Sequence, residues 1–262
     1  VSIQRFVHKW HRSIAKRIPG IDPPVPVGNR RIAKASKIPF LLPSLSLSEI
    51  FEGSDQAEVT MLTRLIRTHK LAMPEHELIT LGAIAKALQP KLVVEFGTFT
   101  GGSTTALASN MPVQSKIITI DLDPAKRDTH VHGLGVGVSG FDVGYLFRGT
   151  RYEQMIEQRY ANSVDFDDQE LLGKADLVFV DADHTYEFVK RDTQKALSFI
   201  KPGGSILWHD YTWEPSNTEC VGVTQTVNEF WQEHSACAQI AGTRFAIYTP
   251  SIASLQSKRV AA

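Results

Sequence analysis

Net charge is missing from this chain: 28 Lys and Arg residues balance 28 Asp and Glu. Nothing overall draws it to nucleic acid, whose binding rests on a basic surface. Cysteine is scarce as well. Cys220 and Cys237 are too few for a disulfide scaffold, and they make no metal-ligand spacing. Reduced thiols and a cytoplasmic location are the expectation. No apolar run reaches the length that spans a bilayer. The opening residues are interrupted by Arg and Lys throughout, so they are not expected to be a signal peptide.

What is present is one stretch around which the rest is organised. Leu92-Val93-Val94-Glu95-Phe96 is a short apolar run rich in β-branched residues and reads as a buried strand. It turns through Gly97, Thr98, Phe99, Thr100, Gly101 and Gly102 into Ser103–Ala108, which reads as a helix start. A strand, a glycine turn and a helix N-terminus leave backbone N–H groups bare for a ligand. The spacing of Gly97, Gly101 and Gly102 does not satisfy the G-x-G-x-x-G dinucleotide fingerprint, and no Gly-Lys-Ser/Thr follows to make a P-loop. Glu95, two residues before the first glycine, would repel a pyrophosphate and suits a cationic or hydroxyl-bearing ligand. Lys116–Asp121 reads as a second strand ending in an acid, which can accept hydrogen bonds from both hydroxyls of a ribose.

This pairing resembles the class I S-adenosylmethionine-dependent methyltransferases. The form E-x-G-x-x-x-G-x-S, carried by Glu95, Gly97, Gly101 and Ser103, more narrowly resembles the catechol-type O-methyltransferases and their bacterial relatives. The likeness spans residues 70–250. It implies an α/β, Rossmann-like fold: a seven-stranded, mostly parallel sheet with helices on both faces. It also implies S-adenosyl-L-methionine as cofactor, held by Glu95, Gly97, Thr98, Phe99, Gly101, Ser103, Asp121, Thr150 and Asp181. The remaining residues divide into a basic N-terminal extension with helices, 1–69, and a tail, 251–262.

Along the chain, residues 1–40 set Arg5, Lys9, Arg12, Lys16, Arg17, Arg30, Arg31, Lys34 and Lys37 against one acid, Asp22. Phe6, Trp10, Ile14 and Ile18 recur every four residues, as on one face of a helix. That stripe reads as packing on its own domain or on a second subunit, so a homo-oligomer is expected; peripheral contact with a membrane or an acidic partner is the alternative. Pro23, Pro24 and Pro26 make an extended linker, and Ser44–Ile50 a short extended piece. Helices are expected over Ala57–Thr68 and, with Pro74 at its first position, over Glu75–Leu88. Lys70–Met73 reads either as a lid over the methyl donor or as a plain connection. His130–Gly144 carries five glycines and reads as a loop near the adenosine end. Val143–Phe147 reads as a strand, followed by Arg148-Gly149-Thr150 at the family's adenine contact, and Tyr152–Tyr160 as a helix. Ala175–Asp181 is a buried strand, Tyr186–Ile200 a helix, and Pro202-Gly203-Gly204 a turn into strand Ser205–Trp208. Val223–His234 reads as a helix, and Ala238–Ala241 and Arg244–Tyr248 as the last strands.

In open α/β sheets, ligands sit at the carboxyl ends of strands. Those ends carry Glu95, Asp121, Asp181 and the pair His209-Asp210. Asp181 and Asp210 offer hard oxygens suited to Mg²⁺, and His209 a nitrogen that leans towards Mn²⁺ or Fe²⁺. By resemblance Asp181 becomes a metal ligand with His209 and Asp210, and His184 the general base. The catechol enzymes usually carry Lys at the place of His184 and Asp-Asn at 209–210; a His base resembles the sugar O-methyltransferases of macrolide biosynthesis. Asp183 reads as an N-cap of the helix that follows. The expected activity is O-methylation of a hydroxylated small molecule, a sugar or a natural product. Two other readings stay open: an iron oxygenase resembling the cephalosporin hydroxylases, and a non-catalytic subunit that binds S-adenosylmethionine.

Overall fold

The computed structural model describes residues 38–66, 72–124, 142–163, 165–212 and 220–253. The basic N-terminal stripe, the proline linker, residues 70–71 of the Lys70–Met73 connection, 130–141 of the glycine-rich loop, and the tail after 253 lie outside the described residues. Eight strands form one sheet: β1 (Ser44–Leu45), β2 (Leu92–Phe96), β3 (Lys116–Asp121), β4 (Ile156–Tyr160), β5 (Ala175–Val180), β6 (Ile200–Trp208), β7 (Cys237–Ile240) and β8 (Ala246–Tyr248), in the order β1-β7-β8-β6-β5-β2-β3-β4. Only β8 runs antiparallel to its neighbours. The strand beyond the expected seven is β1, two residues that extend the edge beside β7.

Alternation along the strands builds two apolar layers. Val93, Ile117, Leu177, Phe179 and Leu207 face one side, with Leu78, Leu81 and Ile84 of α2 (Glu75–Leu88) and Leu107 of α3 (Gly102–Ala108). Val94, Phe96, Ile118, Val178, Ile206 and Trp208 face the other, with Val189 and Phe199 of α4 (Tyr186–Phe199) and Val227 and Phe230 of α5 (Val221–His234). The expected extended piece Ser44–Ile50 is extended only over β1; the Ser46–Glu49 capping box turns the rest into a short helix, α1 (Leu47–Ile50). Among the described residues no helix is long and apolar enough to cross a membrane.

Several expectations change. Residues 57–62 run extended, with one 3-10 turn at Thr63–Leu65 in place of a helix. The Asn110 side-chain amide meets both the N–H and the carbonyl of Thr60, as a strand partner would, and so removes the groups a helix needs. Val143–Phe147 is turn, not strand, because its backbone bonds the glycine turn: Gly144 N–H to Phe99 O and Leu146 N–H to Thr100 O. The strand beside β3 is Ile156–Tyr160, where a helix was expected. Tyr152, Met155, Ile156, Arg159 and Tyr160 have helical spacing, but the open edge of β3 takes them as a parallel partner. Finally, Pro202–Gly204 lies within β6 as a bulge, since pairing shifts register between Ala175↔Ile200 and Leu177↔Ser205. Pro74 proves to be the N-cap of α2 rather than its first residue.

β2 and β5 lie side by side where the connections diverge, β3 and β4 to one side and β6 to the other. That is the switch point of an open α/β sheet. There the chain closes on itself: a Cβ on Gly97, at φ +96°, would lie 2.0 Å from the carbonyl oxygen of Asp181. Gly97→Ala is therefore expected to destabilise by about 3 kcal/mol or more. Gly203→Ala, also at positive φ but with nothing within 4 Å, should cost only about 1 kcal/mol. Urea unfolding of the two variants checks the contrast.

Candidate active site

The glycine turn rests on a carboxylate that solvent does not reach. Glu95 is fully buried. It accepts from Ser103 Oγ at 2.6 Å, Thr104 Oγ1 at 2.5 Å and Thr119 Oγ1 at 2.6 Å, and Thr119 in turn pairs with Thr98 Oγ1 at 2.6 Å. Glu95 thus ties β2, β3 and the first turn of α3 together beneath the turn. Burial pushes its carboxyl up to about 7, against the pull of the three hydroxyls. The sequence suggests Glu95, Thr98 and Ser103 as ligand contacts; here their polar atoms are spent on one another. Gly97 likewise serves the approach to Asp181, and Gly101 (φ +86°) the approach of the Phe147 ring, which a Cβ would meet at 2.8 Å.

Asp121 stands above this foundation at the end of β3. Its Oδ2 accepts from Phe99 N–H at 2.7 Å and its Oδ1 from Leu122 N–H at 2.7 Å. Phe99 adopts φ +47°, a left-handed conformation unusual outside glycine. The bond from Asp121 fixes the turn across two adjacent strand ends. Thr150 lies elsewhere. It precedes β4 rather than following a strand, and lines a surface cavity of about 440 Å³ with Thr60, Met61, Leu62 and Arg64. Thr60 is bonded to Asn110, past the far end of α3. The place that follows the strand beside β3 is taken by Ala161-Asn162-Ser163.

The other half of the crevice gathers the ends of β5 and β6. His184 Nε2 lies 2.9 Å from Asp210 Oδ2. Gly222 lets α5 pack on this segment, since a Cβ there would fall 2.3 Å from the His184 carbonyl oxygen. Asp210, at φ +60°, is a second left-handed non-glycine residue. His209 is buried between two acids, Nδ1 at 3.1 Å from Asp181 Oδ1 and Nε2 at 2.9 Å from Glu77 Oε2. Arg244 closes the group: its backbone N–H, Nε and NH2 reach Glu77, and NH1 donates to Asp210 Oδ1 at 2.6 Å.

For Glu77, Asp210, His184 and His209 burial opposes ionisation, and the opposite charges outweigh it. Glu77 is brought down to about 2 by His209 and Arg244, and Asp210 falls well below the usual carboxylate range beside His209 and His184. His184 is raised by Asp210, and His209 is raised by Asp181 and Asp210.

Asp181, His184 and Asp210 each bring one ligand atom within 4.8 Å of the others. The sequence reading paired Asp181 and Asp210 with His209 instead. His209 has both ring nitrogens on carboxylates. Asp183 accepts from Thr185 N–H at 2.7 Å, a turn just ahead of α4 whose N-cap is Thr185 itself. Glu77 and Arg244 escaped the sequence reading. Glu77 passes for an ordinary first-turn acid and Arg244 for a surface cation. Only the sheet order brings both to the end of β6.

A mostly parallel sheet with a glycine turn at the switch point is the Rossmann-like fold of the solved methyltransferases it resembles. Residues 94–211 match the family described as "Methyltransferase domain". It is 28% identical over 149 residues to tapetum-specific methyltransferase 1 of Arabidopsis thaliana, covering 55% of this chain and 57% of that protein. It is also 28% identical over 134 residues to caffeoyl-CoA O-methyltransferase of Stellaria longipes, covering 51% of each. The chain thus spans about half the length of these curated relatives. Among solved structures it is similar in fold to the O-methyltransferase TomG of Streptomyces achromogenes, involved in tomaymycin synthesis and solved with S-adenosylmethionine. That match has a TM-score of 0.54 and 18% identity, and covers 74% of this chain and 92% of that one. An O-methyltransferase of Bacillus cereus, solved with S-adenosylhomocysteine, matches with a TM-score of 0.51 at 16% identity, covering 69% and 84%.

The buried Glu95 carries a pH signature. Its raised value means the folded chain holds a proton that the unfolded chain gives up near 4.5, so this residue's contribution to stability falls as pH rises towards about 7. Glu95→Gln keeps the shape without the charge. Relative to the native chain, E95Q should therefore gain about 3 kcal/mol of stability between pH 4.5 and 8, read from urea unfolding at the two pH values.

Proposed function

We propose that this chain is an S-adenosylmethionine-dependent O-methyltransferase acting on a hydroxyl of a small molecule, a sugar or a natural product. The observation that carries it is the row of strand ends β6-β5-β2-β3, which sets Asp210 and Asp181 on one side of the glycine turn and Asp121 on the other. Two inter-strand steps, about 10 Å, separate the β5 and β3 ends. In this reading Asp121 accepts from the ribose hydroxyls. The turn lies against the rest of the cofactor, and the Asp181 end faces the methyl group. The family match and the cofactor-bound relatives support the cofactor assignment.

A sulfonium methyl is already activated, so what remains is to remove the acceptor proton and align the oxygen. His184 is suited to the first task. Asp210 Oδ2, 2.9 Å from Nε2, is placed to favour the proton on that nitrogen, and Nδ1 is assigned as the base. His184 cannot be that base and a metal ligand in the same step. Mg²⁺, which the family resemblance implies, would draw on Asp181 and Asp210. Those carboxylates have cationic partners of the chain's own, so the proton step is assigned to His184 alone. The oxygenase reading draws on the Asp181, His184 and Asp210 cluster with iron, and it requires no sulfonium cofactor.

Calorimetric titration with S-adenosylmethionine tests the assignment. Micromolar binding is expected, weakened roughly tenfold or more in Asp121→Ala by loss of hydrogen bonds to a charged group. With a panel of phenolic and sugar acceptors, His184→Ala should lower kcat by about 10²–10⁴ and leave cofactor affinity unchanged. No binding of S-adenosylmethionine would remove this reading in favour of the oxygenase.

A further inference from the structure

A divalent ion at these strand ends would need carboxylate oxygens without other cations on them. Asp210 has cationic partners on both oxygens, and Asp181 has one on Oδ1. Asp210 Oδ1 accepts from Arg244 NH1, and its Oδ2 faces His184 Nε2 at 2.9 Å and His209 Nδ1 at 3.5 Å. Asp181 Oδ1 faces His209 Nδ1 at 3.1 Å. His209 meets a carboxylate at each ring nitrogen, the pattern of an imidazolium donating twice. Arg244 cannot swing aside freely, because its Nε and NH2 hold Glu77, which is 1% exposed and would be left as an uncompensated buried charge.

We infer that this site works without a divalent ion, with Arg244 and His209 supplying as fixed side-chain charge the neutralisation that a metal would otherwise give to Asp181 and Asp210. Both are positioning residues: they hold the two acids, and through Asp210 they hold His184. This deepens the methyltransferase reading and rests on it for the identity of the reactive end.

The test is Mn²⁺ titration of the whole, chelator-treated chain, followed by calorimetry and by the electron paramagnetic resonance signal of free Mn²⁺. The quantity read is the uptake that Asp181→Asn removes. The native chain should show none, and binding that persists in D181N lies elsewhere and counts as none. The double variant Glu77→Gln with Arg244→Met removes the guanidinium together with its buried partner and frees Asp210 Oδ1. It should gain a saturable site, binding Mn²⁺ at least about tenfold more tightly than the native chain. Saturable native uptake lost in D181N overturns the inference. So does a folded double variant that gains nothing, because the built-in cations would then not be what excludes the ion. If the double variant does not fold, the native titration decides alone. S-adenosylmethionine titration of the same samples reports separately on the cofactor assignment.

Discussion

The reactive end of the crevice hangs on one carboxylate that solvent barely touches. Glu77, from the first turn of α2, receives His209 from the end of β6 and three donors of Arg244 from the segment leading into β8. Arg244 then reaches Asp210, and Asp210 reaches His184. Removing Glu77 would leave the ring of His209 and the guanidinium on Asp181 and Asp210 alone. Two side chains that define the geometry around Asp181 and Asp210 would then lose part of what fixes their direction. A buried ion pair of this kind is weak as a source of net stability, because desolvation consumes most of the attraction. Its value here lies in direction: a planar guanidinium with donors on two different acids permits few arrangements.

The two buried glutamates show how partners decide the state of a group. Glu95 and Glu77 are both shut away from water. Glu95 meets only hydroxyls, so burial wins and its carboxyl rises to about 7. Glu77 meets an imidazole and a guanidinium, and burial loses. The first arrangement suits a scaffold beneath a ligand, since a group close to neutral puts little field on what lies above it. The second suits a place where charge must stay fixed while a proton moves nearby.

Much of the architecture was legible in the sequence because burial on both faces leaves a plain mark. The runs Leu92–Phe96, Lys116–Asp121 and Ala175–Val180 are central strands, and their apolar character follows from packing helices on each side. The misread elements are peripheral. Edge strand β4 is only half buried, so its residues carry no strong alternation, and their spacing suits a helix equally well. Residues 57–62 were decided by a side chain fifty positions away, Asn110, which local pattern cannot report. The strand-end acids were legible for the same reason as the strands that carry them. What each acid does was not. Glu95 turns inward because hydroxyls lie within reach on β3 and α3, and His209 is held because α2 delivers Glu77 to it.

These two halves are not independent. Gly97 lies against the Asp181 carbonyl, and Asp181 N–H bonds Phe96 O, so the end of β2 and the end of β5 share one contact surface. The left-handed residues Phe99 and Asp210 sit one on each side of it. Neither is glycine, so each conformation costs free energy that surrounding bonds must hold: the Asp121 carboxylate for Phe99, and Arg244 with His184 for Asp210. A change that loosens the glycine turn therefore shifts the carbonyl of Asp181, and with it the acid that His209 faces. Cofactor grip and reactive geometry are coupled through a backbone contact rather than through a chain of side chains. Only a residue without a Cβ permits that contact at position 97.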